Sequence, residues 1–257
     1  MGQMAPYQKI AQDLRDQILG GALAPGDQLP SENDLSGRYA CARNTASRAL
    51  KLLVSEGLIA TTQGARYTVR PRPQLKHIAT GVNFRRRQGT GKPNDIAEAE
   101  AQGYHGRNDL VAVKTVSAPP EVAERLRVAV GDKVWLRHQI HLANDEPMKI
   151  LRNYYRLEFA SGTPLAAKKK IKGGTTALIE ADDGPFRRRV ARFVEDVELR
   201  MPLPAEAEQL HMPHGAPIAR ILRTFYDPTD EPIEVLDSIL PGDRYTLRYE
   251  IAVPENT

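Results

Sequence analysis

The chain has 257 residues and a single cysteine, Cys41. One thiol cannot close an internal disulfide, and without a cysteine cluster there is no framework for a thiolate zinc site. Both absences suit a reducing compartment, so a cytoplasmic location is expected. No run of roughly 18 apolar residues occurs, so no membrane-spanning helix is expected. The first residues, MGQMAPYQKIAQDL, lack the apolar core of a secretory signal. The sequence also has no nucleophile elbow, no P-loop and no metal-ligand spacing, so no catalytic residue, metal or cofactor is expected. What is present is an ordinary globular composition, 41% hydrophobic and 26% charged, with a formal net charge of +4. The length allows two domains, each with its own core. The mild positive charge is compatible with a nucleic-acid partner but selects for one only where the cations are placed together.

The first seventy residues read differently from the rest. Ile10, Leu14 and Ile18 recur every four positions, which predicts one apolar helical face stopped by Gly20-Gly21. A turn-rich connector, LAPGDQLPSEND, follows. Ser31, with Glu32 and Asp34 behind it, has the chemistry of an N-cap and an acidic first turn, and predicts a short helix to about Tyr39. After a tight turn at residues 40–42, RNTASRALKLLVSEG places Ala46, Leu50, Leu53 and Val54 on one helical face, with Gly57 as the C-cap. Two β-rich runs flank Gln63-Gly64 and read as a hairpin. Three helices, the last two joined tightly, then a hairpin, is the order of a winged helix-turn-helix. It is also compatible with a small α/β cap domain.

In the winged-helix reading, the third helix enters a major groove and its N-terminal residues reach base edges. Those residues are Arg43, Asn44, Thr45, Ser47 and Arg48. Arg43 and Arg48 are five positions apart, roughly 140° around the helix, so one is expected on a guanine and the other on phosphate or the groove edge. Thr45 and Ser47 offer hydroxyls to phosphate oxygens, and Lys51 extends the positive stripe. At the hairpin, Gly64 permits close backbone approach beside Gln63, and Arg66 can face phosphates. The basic triplets at 85–87, 168–170 and 187–189 lie outside this region and read mainly as solvated.

Residues 71–76, PRPQLK, are a plausible linker, and 77–92 read as a mobile loop. Beyond them lies an internal repeat: residues 119–148, PPEVAERLRVAVGDKVWLRHQIHLANDEPM, match residues 203–233, LPAEAEQLHMPHGAPIARILRTFYDPTDEPI. Pro120, Leu126, Gly131 and Val134 correspond to Pro204, Leu210, Gly215 and Ile218, each 84 positions on. Each copy reads as a helix, a turn and two strands. Two copies are expected to pair about a pseudo-twofold axis into one antiparallel sheet, with a cleft between the halves for a ligand. The predicted domains are therefore 1–70, a 71–76 linker and 77–257.

Residues 7–69 resemble the DNA-binding domain of the GntR family of bacterial repressors. The likeness is carried by LAPGDQLPSE, by the Arg-Asn-Thr-x-x-Arg-Ala-Leu start of the third helix, by Glu56-Gly57-Leu58-Ile59 and by Gln63-Gly64. It implies a dimer on a palindromic operator, with Arg43, Thr45, Arg48 and Gly64 at the DNA and Ser31 and Glu32 in the same surface. Asn33 and Ala65-Arg66 depart from the family pattern. The repeat region looks like the UTRA effector domain of the HutC subfamily, related in fold to chorismate lyase. The likeness rests on the Arg-x-x-Tyr-Asp, Pro-x-Glu and Asp-Arg-Tyr patterns of the second copy. It implies effector contacts from Arg137, Gln139, His141, Asn153, Tyr155, Arg223, Glu234 and Tyr245. Gln139 and His141 stand where members that bind sugar phosphates carry an Arg-x-Arg pair, and Leu151 where an acidic residue is common, which argues against a sugar phosphate.

The expected fold is thus α+β: an N-terminal winged helix-turn-helix, then a mixed, mostly antiparallel sheet with packed helices. The expected function is a non-enzymatic, homodimeric repressor of double-stranded operator DNA, controlled by a small-molecule effector. The alternatives are a ligand-independent autorepressor on a mobile element, and a chorismate-lyase-like enzyme.

Overall fold

A computed structural model describes residues 4–62, 66–70, 75–78, 84–85, 89–212 and 216–251. The chain divides into two compact units. One comprises residues 1–73 with 211–217, and the other residues 74–210 with 218–257.

The smaller unit begins with α1 (Pro6–Leu19), α2 (Glu32–Arg38) and α3 (Arg43–Ser55), followed by β1 (Ile59–Thr62) and β2 (Arg66–Val69). Ile10 and Leu14 of α1 are buried against Leu35 of α2 and against Ala46, Ala49, Leu50 and Leu53 of α3. Burying leucines of this kind contributes about 1.5–3 kcal/mol each. Ile18 and Val54, expected in the apolar stripes, pack only at the margin of this core, and Ala49 takes the inner position instead. The α2–α3 turn is held by Ser36, whose hydroxyl donates to the Cys41 carbonyl at 2.6 Å. Arg15 clamps α1 to the end of α3 through both carboxylate oxygens of Glu56, at 2.9 and 2.5 Å. Strands β1 and β2 pair antiparallel from Ile59↔Val69 to Thr62↔Arg66. The turn between them, with Gln63 and Gly64, lies outside the described residues.

The larger unit runs β3 (Leu75–Ile78), α4 (Asn94–Glu100), β4 (Gly106–Ser117), α5 (Pro120–Leu126), β5 (Lys133–Ala143), β6 (Glu146–Arg156), α6 (Leu157–Ala160), α7 (Gly174–Glu180), β7 (Arg192–Arg200), α8 (Pro204–Gln209), β8 (Ile218–Tyr226), β9 (Pro232–Pro241) and β10 (Tyr245–Arg248). Six strands form one antiparallel sheet in the order β4-β5-β6-β9-β8-β7. The short β3 and β10 pair in parallel as a separate ribbon. Leu75 and Lys76, expected in the linker, and His77 and Ile78, expected in a mobile loop, therefore form a strand. Leu75 packs with Ala99, Ala143 and Met148, a long-range contact that local composition does not announce.

The repeat is visible in the sheet. Each half is strand–helix–strand–strand, β4-α5-β5-β6 and β7-α8-β8-β9, so the repeating unit includes a leading strand that the sequence match did not reach. The halves join through β6 and β9, where Ile150 pairs with Ile239, Arg152 with Asp237 and Tyr154 with Val235. Arg152 and Asp237 are equivalent positions of the two copies, 85 residues apart after the one-residue insertion. The pseudo-twofold axis therefore passes through that pair.

Candidate DNA-binding surface and ligand cavity

Helix α3 has two contrasting faces. Ala46, Ala49, Leu50 and Leu53 are buried, while Arg43, Asn44, Arg48 and Lys51 are exposed and Thr45 and Ser47 half-buried. The predicted residues before the wing thus share one side of α3 or the adjoining start of α2. Ser31 caps α2, its hydroxyl accepting from the Asp34 amide at 3.2 Å. The Asp34 carboxylate accepts from the Ser31 amide and hydroxyl, at 3.0 and 2.6 Å, completing a capping box. Glu32 accepts from Arg43 Nε at 2.9 Å, and the Ser47 and Arg43 hydrogen bonds hold its carboxyl below the usual range. Arg43 is nonetheless 70% exposed. Arg48 lies over the Tyr7 ring, with the guanidinium carbon 4.1 Å from the centroid. The two arginines are thus set apart as their spacing predicts, Arg43 toward α2 and Arg48 toward α1. Arg66 opens β2; Gln63 and Gly64 are among the residues not described.

In the larger unit a cavity of about 310 Å³ opens on the sheet face at the pseudo-twofold axis. Its floor is Leu151 and Asn153 of β6 beside their repeat equivalents Leu236 and Ser238 of β9. Gln139 of β5 and Arg223 of β8, also equivalents 84 positions apart, line it on either side. Helix α4 contributes Asn94 and Asp95, and the segment from Lys170 to Ala177 contributes another wall.

Five of the eight predicted residues line this cavity: Arg137, Gln139, Asn153, Arg223 and Glu234. Three are absent from its lining. Tyr155 lies beneath it and donates to Glu234 Oε2 at 2.8 Å. His141 is 1% exposed and sits 2.7 Å from Asn108 Oδ1 through Nδ1. Burial lowers its pKa to about 4. Tyr245 presents its ring to Lys149 Nζ, 5.3 Å from the centroid.

The charged groups of the cavity are largely committed. Lys149 reaches Asp95 at 2.9 Å, and this contact holds the Asp95 carboxyl below its usual range although burial opposes it. Arg223 Nε donates to Glu195 at 2.7 Å, and the guanidinium lies 4.3 Å from the Phe193 ring centroid. Arg137 spends its terminal nitrogens on backbone carbonyls, 2.8 Å to Leu165, 2.8 Å to Ala167 and 2.7 Å to Lys169. Glu234 accepts from Asn153 Nδ2 at 2.6 Å, and burial raises its pKa. Lys149, Asp95, Glu195 and His77 were not predicted. Lys149 and Glu195 could have been found by strand alternation, two positions from Leu151 and from Phe193 respectively; nothing local marks His77.

The UTRA domain profile matches residues 101–246, more than half of the chain, and the profile of the gntR family of bacterial regulatory proteins matches residues 6–69. The chain belongs to the UTRA-domain family. With its gntR-type N-terminal domain it is a DNA-binding transcription regulator whose larger domain is of the effector-binding kind. An HTH-type transcriptional regulator of Streptomyces coelicolor is 27% identical across 100% of this chain and 96% of its own length. The transcriptional repressor NagR of Bacillus subtilis is 26% identical over 93% and 92%. Among crystal structures, a GntR-family transcriptional regulator superposes with TM-score 0.63 at 25% identity, covering 98% of this chain and 99% of that one. PhnF of Mycobacterium smegmatis shares the fold, with TM-score 0.60 at 21% identity over 95% and 99%. Among the described residues, no helix of this regulator is long and apolar enough to cross a membrane, and no cluster of His, Cys, Asp or Glu is placed to hold a metal.

Proposed function

We propose that the chain is a homodimeric repressor whose grip on a palindromic operator is set by a small molecule in the larger domain's cavity. The observation that carries the DNA side is the exposed start of α3, where Arg43, Asn44 and Lys51 face solvent above a helix anchored by Leu50 and Leu53. In this reading Arg43 takes a base edge, Arg48 and Lys51 take phosphates, and Thr45 and Ser47 add hydroxyl contacts, with Ser31, Glu32 and the wing residues Gln63, Gly64 and Arg66 alongside. Relatives named as repressors of histidine and fructoselysine utilization support the sign of regulation.

Buried polar atoms without partners support a working effector site. Arg137 Nε, Asn153 Oδ1 and Asn94 Oδ1 all belong to residues of the cavity wall. A ligand-independent autorepressor has no use for such atoms, because buried polar groups left unpaired cost stability. The chorismate-lyase likeness is one of fold, and fold does not confer activity, so we read the chain as a regulator rather than an enzyme.

For the dimer, the surface we favour is the edge of β7. Val197 and Leu199 point to one side, and the chain continues with Met201 and Leu203; all four are exposed, Leu199 at 76%. An unpaired apolar edge is a liability unless another chain covers it. Two linked half-sites about 34 Å apart then bind as one unit, and an effector acts by favouring a different tilt of the pair. Footprinting the full chain on DNA upstream of its own gene, followed by metabolite titration, tests this reading. Two symmetric protected half-sites are expected. Protection no stronger than on unrelated DNA at the same salt overturns it.

A further inference from the structure

We propose that the cavity accepts an uncharged, hydroxyl-rich molecule of the sugar or polyol class, carrying neither phosphate nor carboxylate. This deepens, and rests on, the reading of the cavity as the effector site. The argument is one of charge balance. The ionisable side chains of the inner wall, histidine aside, are the buried Arg137, Lys149 and Arg223 against the buried Glu234 and the half-buried Asp95 and Glu195. Lys149 is matched by Asp95 and Arg223 by Glu195. Arg137 is the one without a carboxylate partner among the described residues, and its terminal nitrogens are held by three carbonyls. A phosphate or a carboxylate brought into this wall would give up its hydration and find, beside two paired cations, only the Nε of Arg137 to receive it, a poor exchange that worsens as the surroundings become less polar. Lys170 and Lys172 line the rim, but both are exposed, and solvent screens what they offer.

The unspent hydrogen-bonding capacity points the same way. Asn153 gives its amide nitrogen to Glu234 at 2.6 Å, so its Oδ1 is left as an acceptor with no partner. Asn94 Oδ1 is a second unpartnered acceptor and Arg137 Nε an unpartnered donor, while His77 Nε2 faces the Glu195 carboxylate at 3.7 Å. Acceptors outnumber donors, so the guest must donate at least twice and accept at least once. Hydroxyl groups do both. Leu151, Ile221, Phe225 and Leu236 supply an apolar surface for the C–H faces of a ring or carbon chain. A volume of about 310 Å³ suits one small molecule of this size.

The test is a matched panel against the full-length protein: glucose, galactose, fructose, N-acetylglucosamine and myo-inositol, each beside its phosphate monoester, with inorganic phosphate as an added arm. Thermal shift and calorimetry give the affinities, and operator binding is measured on the same preparation. At least one neutral compound is expected to bind and to exceed its monoester at least tenfold. Gln139→Arg, which adds a cation to the wall, is expected to swing that preference at least tenfold toward the monoester. A monoester or inorganic phosphate binding the unaltered protein as tightly as the neutral compounds overturns the proposal, as does a panel in which no neutral compound binds, or a Gln139→Arg protein with unchanged preference. Any of these with specific operator binding intact removes the ligand class alone; loss of operator specificity instead removes the regulator reading beneath it.

Discussion

The same side chain plays opposite parts in the two units. Arg43, at the start of α3, is 70% exposed and pairs with Glu32. Arg137, on β5, is 1% exposed and holds three backbone carbonyls in place. An exposed arginine keeps its donors available for a partner that arrives later, while a buried one must be satisfied at once or destabilise the fold. The smaller unit therefore presents charge outward on a rigid helix, and the larger one ties its charges down inside a cavity with ion pairs and backbone carbonyls. A polyanion suits the first arrangement and a small polar molecule the second.

The largest expected effect comes from separating the copies of the proposed dimer, because that removes one of its two outward surfaces at once. The double substitution Val197→Glu with Leu199→Glu puts like charges on the exposed edge of β7 without touching the core. Sedimentation should show a monomer, and operator affinity should fall by about a hundredfold or more as the second half-site is lost. A dimer that survives with full affinity places the interface elsewhere. Next in size is Arg43→Ala, expected to cost about 1–3 kcal/mol of specific binding while affinity for unrelated DNA stays nearly constant. An equal loss on both DNAs assigns Arg43 to phosphate and blurs the distinction between a reading cation and a merely attracting one.

Much of this was legible in the sequence, for reasons that differ between the units. In the smaller one, helices start and stop on local chemistry: Ser31 caps, Gly20-Gly21 halts, and an apolar repeat of four marks the inner face. The outward-facing residues follow from that register, although Val54 and Ala49 exchange roles because a thirteen-residue helix leaves its last turn at the edge of a small core. In the larger unit the repeat foretold the pseudo-twofold sheet and a cleft between its halves, while the family resemblance supplied five of the residues that line the cavity. That resemblance did not separate off His141, Tyr155 and Tyr245, which lie outside the lining against Asn108 of β4, Glu234 of β9 and Lys149 of β6 respectively. Nor did the repeat give His77, Asp95 and Glu195, which arrive from elements outside the matched segments. The β3–β10 ribbon was missed for the same reason, since parallel pairing over 170 positions, Leu75 with Tyr245, leaves no local trace.

A smaller effect tests how strongly the interior of the larger unit resists taking up a further charge. Burial brings His141 to a pKa of about 4, against 6.5 for the free side chain, with Asp95 and Lys149 pulling in opposite senses. Between those values the unfolded chain binds the extra proton and the folded one does not, so stability is present above pH 6.5 and lost on acidification toward 4. From pH 6.5 to 4.5 the loss from His141 is about 2 kcal/mol. His138, also lowered to about 4 by burial, acts in the same direction and less strongly for being partly exposed. Urea unfolding at the two pH values should show the decline, and His141→Gln should flatten it. An unflattened curve means that His141 accepts its proton without penalty and that the interior is more open than its burial implies.

The smallest effect is the sharpest probe of the outward surface. Lys51 is exposed on the turn of α3 after Arg48, and a lysine offers a point charge rather than a directional fork. Lys51→Ala should weaken operator and unrelated DNA alike by a few-fold. It should also reduce the slope of log affinity against log salt by about 0.9, the signature of one released counterion. Affinity titrations at several salt concentrations separate this from Arg43→Ala, which should change sequence preference more than slope. If Lys51→Ala leaves the slope unchanged, the positive stripe ends at Arg48, and contact with the backbone shifts to the wing through Arg66. If instead it alters sequence preference, the helix sits deeper in the groove than its first turn alone requires.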